Sequence, residues 1–578
     1  MGMHSRAGLA LVLAVLGSVA VPAAAAGAGT STTGRPVPLG DAAAVAAMTE
    51  LETRIDDSFV AGHAVPVVFD SPQQLPGHVI TAPYWGDTDL WTGVYLGGEA
   101  MRYAVAQQHL GEREEEGQRG AHKHRSGRDD QQGKAANQQH AFWVAQRDQA
   151  LARIHQILPA LHRDINIAED WSEQLKVPPG VNTSDPTGQH TADFGGGVFH
   201  GERGMIMRSC TPLGLGPLGI EAPAADHGNH VYELTWPHGD GGRYRCEVTP
   251  SRDTYAGLTF GLLTTFDLVG PADPALAAEI RDDLLNMGGF LLKHGWTYPR
   301  PNGFIGVHSD EDLFISPLMP HVPSARLNIA NAARHVADIS GSAADRQTWD
   351  AAWQEELASQ GPLVGAEKEI NTAQHNDGYF KFNLDHLTGF NLLRTTSGAE
   401  HDLIARGFAV MDKSTRVDGN AHFEALTYGL TGERARRDAA VKHLHEWLQY
   451  RAAIANGAAV TNSARCSRDL ACVPRDRNDI TFEPYSSAPI TWYPGAPEAP
   501  PISRAADLRA RDPLPVALRP PTDFLWQAPP TALDGQRSAD AREPGIDYLT
   551  PYWTVRYFSE VAPPPLRPFP TWVGPRHS

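Results

Sequence analysis

Long apolar runs are scarce in this chain, and so are the short signatures that announce a chemistry. Past residue 21 no stretch approaches the roughly 18 uninterrupted apolar residues that a membrane-spanning helix needs. Basic residues are in deficit: 49 Lys and Arg stand against 67 Asp and Glu, a formal net charge of −18. That balance disfavours nucleic acid, whose binding rests on neutralising phosphates with Lys and Arg. The chain has no HExxH, no EF-hand loop, no GxSxG elbow, no Walker loop and no Rossmann fingerprint. Zinc-protease, serine-hydrolase and nucleotide-dependent chemistries therefore lose their usual markers, and no cofactor is expected.

Cysteine is rare as well: there are 4, at Cys210, Cys246, Cys466 and Cys472, and none form a CxxC pair. In an oxidising compartment an even count reads as disulfides with three possible connectivities. Cys210–Cys246 with Cys466–Cys472 is the most local choice. The compartment is suggested by the start of the chain. His4 and Arg6 precede an apolar run from Ala7 to about Val21, and "VPAAAAGAG" follows. Residues 1–26 thus read as a secretory signal peptide and 27–40 as a linker, so the mature protein is expected to be exported, extracellular or periplasmic.

What is present is helical periodicity. "DAAAVAAMTELETRIDD" reads as a first helix capped by Asp41, and "DTDLWTGVYLGGEAMRYAVAQQ" as a second. Residues 112–138 form a mixed-charge run without apolar periodicity and read as a solvated, mobile insertion. Residues 175–250 change texture, and "HVYELTW" with "GGRYRCEV" predicts a β-hairpin within a loop-rich insertion. Helical signals resume to about residue 455. A Pro-rich wrap covers 494–530, "GIDYLTPYWTVRYFS" closes the fold, and 561–578 is a Pro-rich tail. There is no βαβ rhythm and no fixed repeat period. About twelve helices in consecutive antiparallel pairs make an all-α dominated fold, an (α/α)6 toroid over residues 41–560 with a β-hairpin and loop insertion.

Several segments combine an acid, an aromatic and a helix start: "WGDTDLWTG", "TPSRDTYAGLTFG", "QHNDGYFKFNLDHLTGF" and "DGNAHFEALTYG". "PTDFLWQAPP" adds Trp526. Taken singly, an Asp before a helix is an ordinary cap worth about 0.5–2 kcal/mol. Together they say more, because in a ring of helical hairpins the starts of alternate helices point to one end. Histidine-rich stretches offer weaker patterns. "ADHGNHVYE" offers Asp226, His227 and His230, "HSDEDLF" reads as a solvated acidic turn with Ca2+ held by its oxygens as the alternative, the two histidines of "KHLHEW" point to different sides of a helix, and no metal site is assigned.

The segments "DTDLWTGVYLGGEAMRYAVA", "SRDTYAGLTFGLLTTFDLV" and "YFKFNLDHLTGFNLLR", with the hairpin layout over residues 80–455, resemble the six-hairpin (α/α)6 toroid superfamily of carbohydrate-active enzymes. The resemblance implies a fold and a glycan substrate. The leading expectation is a secreted glycoside hydrolase with candidate carboxyls Asp87, Asp89, Asp253 and Asp377. Trp91, Tyr255, Tyr379 and Trp526 are the expected stacking platforms. Arg252, Asn383, His386, Asn420 and His422 are the expected partners of sugar hydroxyls. The alternatives are a polysaccharide lyase or uronate epimerase, using Tyr255 with Arg252 or His386 with Tyr379, and a non-catalytic glycan-binding or structural protein. Neither nucleic acid nor stable membrane insertion is expected.

Overall fold

The computed structural model describes residues 38–71, 75–120, 130–170, 201–220, 231–238, 241–247, 250–293, 296, 322–373, 379–455, 476–481, 509–511, 513–520, 522, 524–532, 541–542, 544–564 and 566–569. The chain is dominated by helices, with a few small antiparallel sheets. No described helix is long and apolar enough to cross a membrane.

The first helix, α1 (Ala42–Arg54), is capped as its sequence predicts, with the Ala44 amide donating to Asp41 Oδ1 at 3.0 Å. It leads into the short hairpin β1 (Phe59–Val60) and β2 (His63–Ala64). The two-residue turn between them has Ala61 and Gly62 at φ 52° and 91°. Gly62 is required twice over: its φ is left-handed, and a Cβ there would lie 2.6 Å from the Ala160 Cβ. The turn is therefore pressed onto α3 (Asp130–Asn166), and this contact fixes where His63 points.

Next come α2 (Thr88–Gly120) and α3. The charged stretch 112–138, expected to be an irregular insertion, is helical on both flanks: α2 continues to Gly120 and α3 begins at Asp130. The expected hairpin is present as β6 (Val231–Thr235) and β7 (Arg243–Glu247). The earlier strand β5 (Ser209–Pro212) joins the other edge of β7 to complete a three-stranded sheet. Cys210 and Cys246 face each other across β5 and β7 and form a disulfide. Cys466 and Cys472 lie outside the described residues.

The remaining helices are α4 (Arg252–Leu268), α5 (Pro274–Lys293), α6 (Val322–Ser340), α7 (Ala343–Gln360), α8 (Val364–Ala373), α9 (Phe380–Thr395), α10 (Gly398–Thr415), α11 (Ala421–Thr431), α12 (Arg434–Ala455) and α13 (Ile546–Glu560). Their packing makes a closed cycle: α2 lies on α4, α4 on α6, α6 on α9, α9 on α11, α11 on α13, and α13 back on α2. Around it, α3 backs α2, α5 backs α4 and α6, α7 backs α6, α10 backs α9, α12 backs α11, and α1 lies on α13. Helix α4 also touches α9 directly, so the cycle is flattened.

Side-chain register shows that the helices of the cycle run the same way. Phe260 meets Phe390 while Asp267 meets Arg394. Asn391 donates to Asn328 and Asn331 to Thr395. Thr550 donates to the Val94 carbonyl, while His109 and Glu560 pair near the far ends of the same two helices. Their N-terminal ends accordingly gather at one end of the molecule.

The tightest contact in the cycle is α2 against α4. A Cβ on Gly93 would sit 2.2 Å from the Gly257 carbonyl oxygen, and one on Gly261 would sit 2.2 Å from the Gly93 carbonyl oxygen. A Gly257 Cβ would meet the Leu90 oxygen at 2.4 Å. Here the obstacle is backbone, which cannot swing aside as a side chain can. Gly257→Ala is expected to lower stability by at least about 1–3 kcal/mol, the usual cost of overpacking. Gly289→Ala in α5, where a Cβ meets nothing within 4 Å, should instead be neutral or stabilising by about 0.5–1 kcal/mol. Urea unfolding of the two variants beside the parent chain checks the contrast.

Candidate functional site

The site is built where the helix starts gather. Before α2 the chain turns through Tyr84, Trp85 and Gly86, and the Trp91 amide donates to the Asp87 carbonyl to open the helix. Asp87 is half-buried and its side chain turns outward to Arg208, with Nη2 donating to Oδ1 at 3.1 Å. Arg208 immediately precedes β5. Its amide donates to the Glu247 carbonyl at 2.7 Å, and its Nε lies 3.8 Å from Glu247 Oε1. The Cys210–Cys246 disulfide one step further along this ladder holds the two strands together.

The electrostatics of this group separate its members. Burial works against the Arg208 charge, but Glu247, Asp87, Tyr84 and Asp253 together outweigh it and hold the guanidinium firmly protonated. Burial also pushes the Glu247 carboxyl above its ordinary value, with Asp87 adding to the rise and Arg208 opposing it. Tyr84 is raised too, first by burial and then by Asp87. Two carboxylates, Asp87 and Glu247, thus flank one cation in a half-buried setting, with Tyr84 and Asp253 within electrostatic reach. Such a setting is where acids take up perturbed proton affinities.

Asp253 sits in the first turn of α4, but it is not the cap. Ser251 caps that helix reciprocally with Thr254, and Asp253 is within electrostatic reach of Arg208. Arg252 and Tyr255, from the same turn, line a small cavity with Ser324, Asn328, Asp385 and Thr388. Behind it lies a buried ionic network. Lys368 pairs with Asp385 and donates to Ser324 Oγ at 2.9 Å and Glu367 Oε1 at 3.2 Å. Asn371 supplies a further donor to Asp385 at 2.9 Å.

The remaining expected residues are drawn together at the same end, but as packed interior. Trp91 stacks on Phe524 with ring centroids 4.4 Å apart, and Phe524 meets His422 edge-on at 5.7 Å. His386 stacks on Phe423 at 3.9 Å, with Nδ1 donating to the Phe382 carbonyl. Tyr379 donates to Asp418 at 3.0 Å, Asn383 to Gln527 at 3.2 Å, and Asn420 both caps α11 and donates to the Trp526 carbonyl at 2.9 Å. Trp526 is itself fully enclosed, its Nε1 donating to the Asp547 carbonyl. The Pro-rich tract, expected to wrap the surface, instead sends Leu514, Val516, Phe524, Leu525 and Trp526 into the core at this end. The expected stacking platforms Trp91, Tyr255, Tyr379 and Trp526 therefore present no open face. Their polar companions Asn383, His386, Asn420 and His422 are equally enclosed: Gln527, Trp526 and Phe524 lie against Asn383, Asn420 and His422, and Phe423 covers His386.

Asp89 is likewise withdrawn from the mouth. It is 0 % exposed and points inward to His63, with His63 Nε2 at 3.4 Å from its Oδ1. Asp377 lies outside the described residues. Sequence reading did not single out Arg208, Glu247, Tyr84, Lys368 or Glu367. The only signal for the first two was their position beside the cysteines, which a disulfide across a hairpin would have brought to the same edge.

A scan of protein-family models, a search of curated proteins and a search of solved structures each return no match for this chain.

One titration can be anticipated from the packed interior. Burial pushes the His422 imidazole down to about 3, with the His386 charge adding to the effect. Because the folded value lies below the ordinary 6.5, the neutral ring contributes stability above that value. The contribution is lost as pH falls from about 6.5 toward 3, at about 1.4 kcal/mol per pH unit. His422→Phe removes the penalty. Its stability relative to the parent chain should therefore rise as pH is lowered from 7 to 4, measured by denaturant unfolding across that range.

Proposed function

We propose that this protein is an exported carbohydrate-active enzyme of the hydrolase type, built on an (α/α)6 toroid whose open end carries the Asp87–Arg208–Glu247–Asp253 group. The toroid is supported by the closed cycle of same-direction helices with a second set behind it. Export is supported by the leader-like start of the sequence and by the Cys210–Cys246 disulfide.

The observation that supports the reading is the placement of Asp87 and Glu247 on either side of the Arg208 guanidinium, with Asp253 in electrostatic reach, at the end where the helix starts meet. Glycosidic hydrolysis needs one carboxyl that still holds its proton to protonate the leaving oxygen. It needs a second, ionised carboxylate to activate water or attack the sugar. Burial raises Glu247 toward the first role. Asp87, held in its ion pair, and Asp253 supply the second. Arg208 then fixes the spacing of the carboxyls, and Tyr84 at the rim offers a partly exposed ring to a sugar face.

The test is a panel of soluble oligosaccharides and polysaccharides assayed for new reducing ends. Glu247→Gln and Asp87→Asn should each lower turnover by about 10²- to 10⁴-fold, the range expected for loss of a proton-transfer group, with little change in melting temperature. Products absorbing in the near ultraviolet would replace hydrolysis by β-elimination at the same site. Full turnover in Glu247→Gln would remove the assignment, and the absence of both turnover and glycan binding would remove the reading itself.

A further inference from the structure

Beneath the mouth lies a second group of residues that the proposed hydrolysis does not use. His63 from β2, Asp89 from the first turn of α2 and Asp164 from α3 are each 0 % exposed. His63 Nε2 lies 2.8 Å from Asp164 Oδ2 and 3.4 Å from Asp89 Oδ1. One nitrogen and one oxygen from each carboxylate all fall within 4.8 Å of one another. Trp85 closes the group from outside, its ring edge-on to His63 at 5.8 Å.

The three residues are not equally satisfied. Asp164 is held on every side: Arg163 Nε donates to its Oδ1 at 2.9 Å, and the Cys210 amide donates to its Oδ2 at 3.0 Å. Asp89 is the opposite case. Its carboxylate is wholly buried, yet neither oxygen accepts a hydrogen bond, and His63 Nδ1 also has no partner. A buried carboxylate left in this condition costs free energy that a polar surface residue would not. Aimed at an imidazole nitrogen and a second carboxylate, it shares the single His63 ring with Asp164 at a longer distance, and is an oxygen donor placed for a cation that could replace the imidazole proton.

We propose that His63, Asp89 and Asp164 form a binding site for a borderline divalent transition ion of the zinc class, separate from the Asp87–Arg208–Glu247 group and independent of the hydrolase reading. The ligand separations suit this ion. Zinc held tetrahedrally by nitrogen and oxygen at about 2.0–2.2 Å keeps its ligand atoms about 3.3–3.5 Å apart. The His63–Asp89 separation of 3.4 Å already matches. The 2.8 Å His63–Asp164 contact is a hydrogen bond that must open by roughly 0.5 Å. On binding, the ion takes the place of the proton between His63 Nε2 and Asp164 Oδ2, and that proton leaves to solvent. Calcium and magnesium are disfavoured, since they call for six or more oxygen ligands or an octahedral oxygen shell. Arg163 on the outer oxygen of Asp164 orients that carboxylate, as outer partners of metal ligands commonly do. Because the ligands come from β2, α2 and α3, and Asp164 also holds the β5 amide of Cys210, the ion would tie four segments together at one point.

A second, more exposed group, His162 with Glu279 and Asp283, offers a rival place for the same ion and serves as the control. The metal-stripped full-length protein is titrated with Co2+ and Zn2+, reading the visible Co2+ absorption and the heat of Zn2+ binding. The expected result is one equivalent taken up with the intense band of a four-coordinate cobalt site, in which His63, Asp89 and Asp164 supply three ligands and a water the fourth. Affinity should fall by more than about 100-fold in Asp89→Asn and remain unchanged in His162→Asn, since loss of even an outer partner costs about 10- to 100-fold. Uptake that survives Asp89→Asn, uptake abolished by His162→Asn, or no uptake at all overturns the proposal. Should Asp89→Asn fail to fold, anomalous scattering from a zinc-soaked crystal of the parent chain decides. A peak between His63, Asp89 and Asp164 supports the site, and its absence there overturns it.

Discussion

The contact between α2 and α4 is the constraint on which the rest of the structure depends. Two helices meet with Gly93, Gly257 and Gly261 at the crossing, and each glycine lies against carbonyl oxygen of the opposing helix. No other residue allows that approach. The consequence is positional: with the two backbones this close and running the same way, the first turns of α2 and α4 open side by side. Asp87 and Asp253 are then near enough to act on one arginine, although 165 residues of chain separate them. A larger residue at the crossing would push the helices apart and open the carboxylate group as directly as a substitution within it.

The other members of that group arrive from a different kind of structure. Arg208 and Glu247 sit at the ends of paired strands, and their spacing is set by the backbone ladder and the adjacent disulfide. Helix starts supply one half of the site and a strand edge supplies the other. The disulfide thereby has a second consequence besides restricting the unfolded chain. It holds the cation between carboxylates that would otherwise repel one another. At the far side of α4, Lys368 has the same part among Asp385, Glu367 and Ser324, but there the network is closed and fully buried. One arrangement is half-buried at the mouth, and the other is enclosed in the interior. Only the first is within reach of solvent.

Much of the architecture was legible in the residues because it rests on local rules. The helical periods, the Asp41 cap, the hairpin ending in "RYRCEV" and the Cys210–Cys246 pair all follow from spacing within short windows. The sequence leaves open whether the helix starts meet at one end, since that depends on how the helices pack. What could not be read was which side of each helix start meets solvent. Trp91, Tyr379 and Trp526 look like sugar platforms in isolation. Their burial is decided by Phe524 and its neighbours, which return to this end of the molecule more than 400 residues after Trp91. Arg208 and Glu247 carry no helical signal at all, and only the strand pairing makes them neighbours.

The segment "WGDTDLW" shows the same limit at the scale of one helical turn. Asp87 and Asp89 look interchangeable in sequence, both acids at a helix start and both able to cap. Helical geometry separates them: residues two apart are rotated by roughly 200°, so their side chains leave on opposite faces. Asp87 emerges at the mouth and meets Arg208, while Asp89 is carried inward to His63 and Asp164. One backbone turn thus serves two unlike electrostatic environments. In the outer one a guanidinium already balances the charge and water reaches the rim. In the inner one a wholly buried carboxylate has the His63 ring beside it, 3.4 Å away. Of two acids that looked alike, one is at the rim and the other is enclosed, and only the geometry of a single helical turn tells them apart.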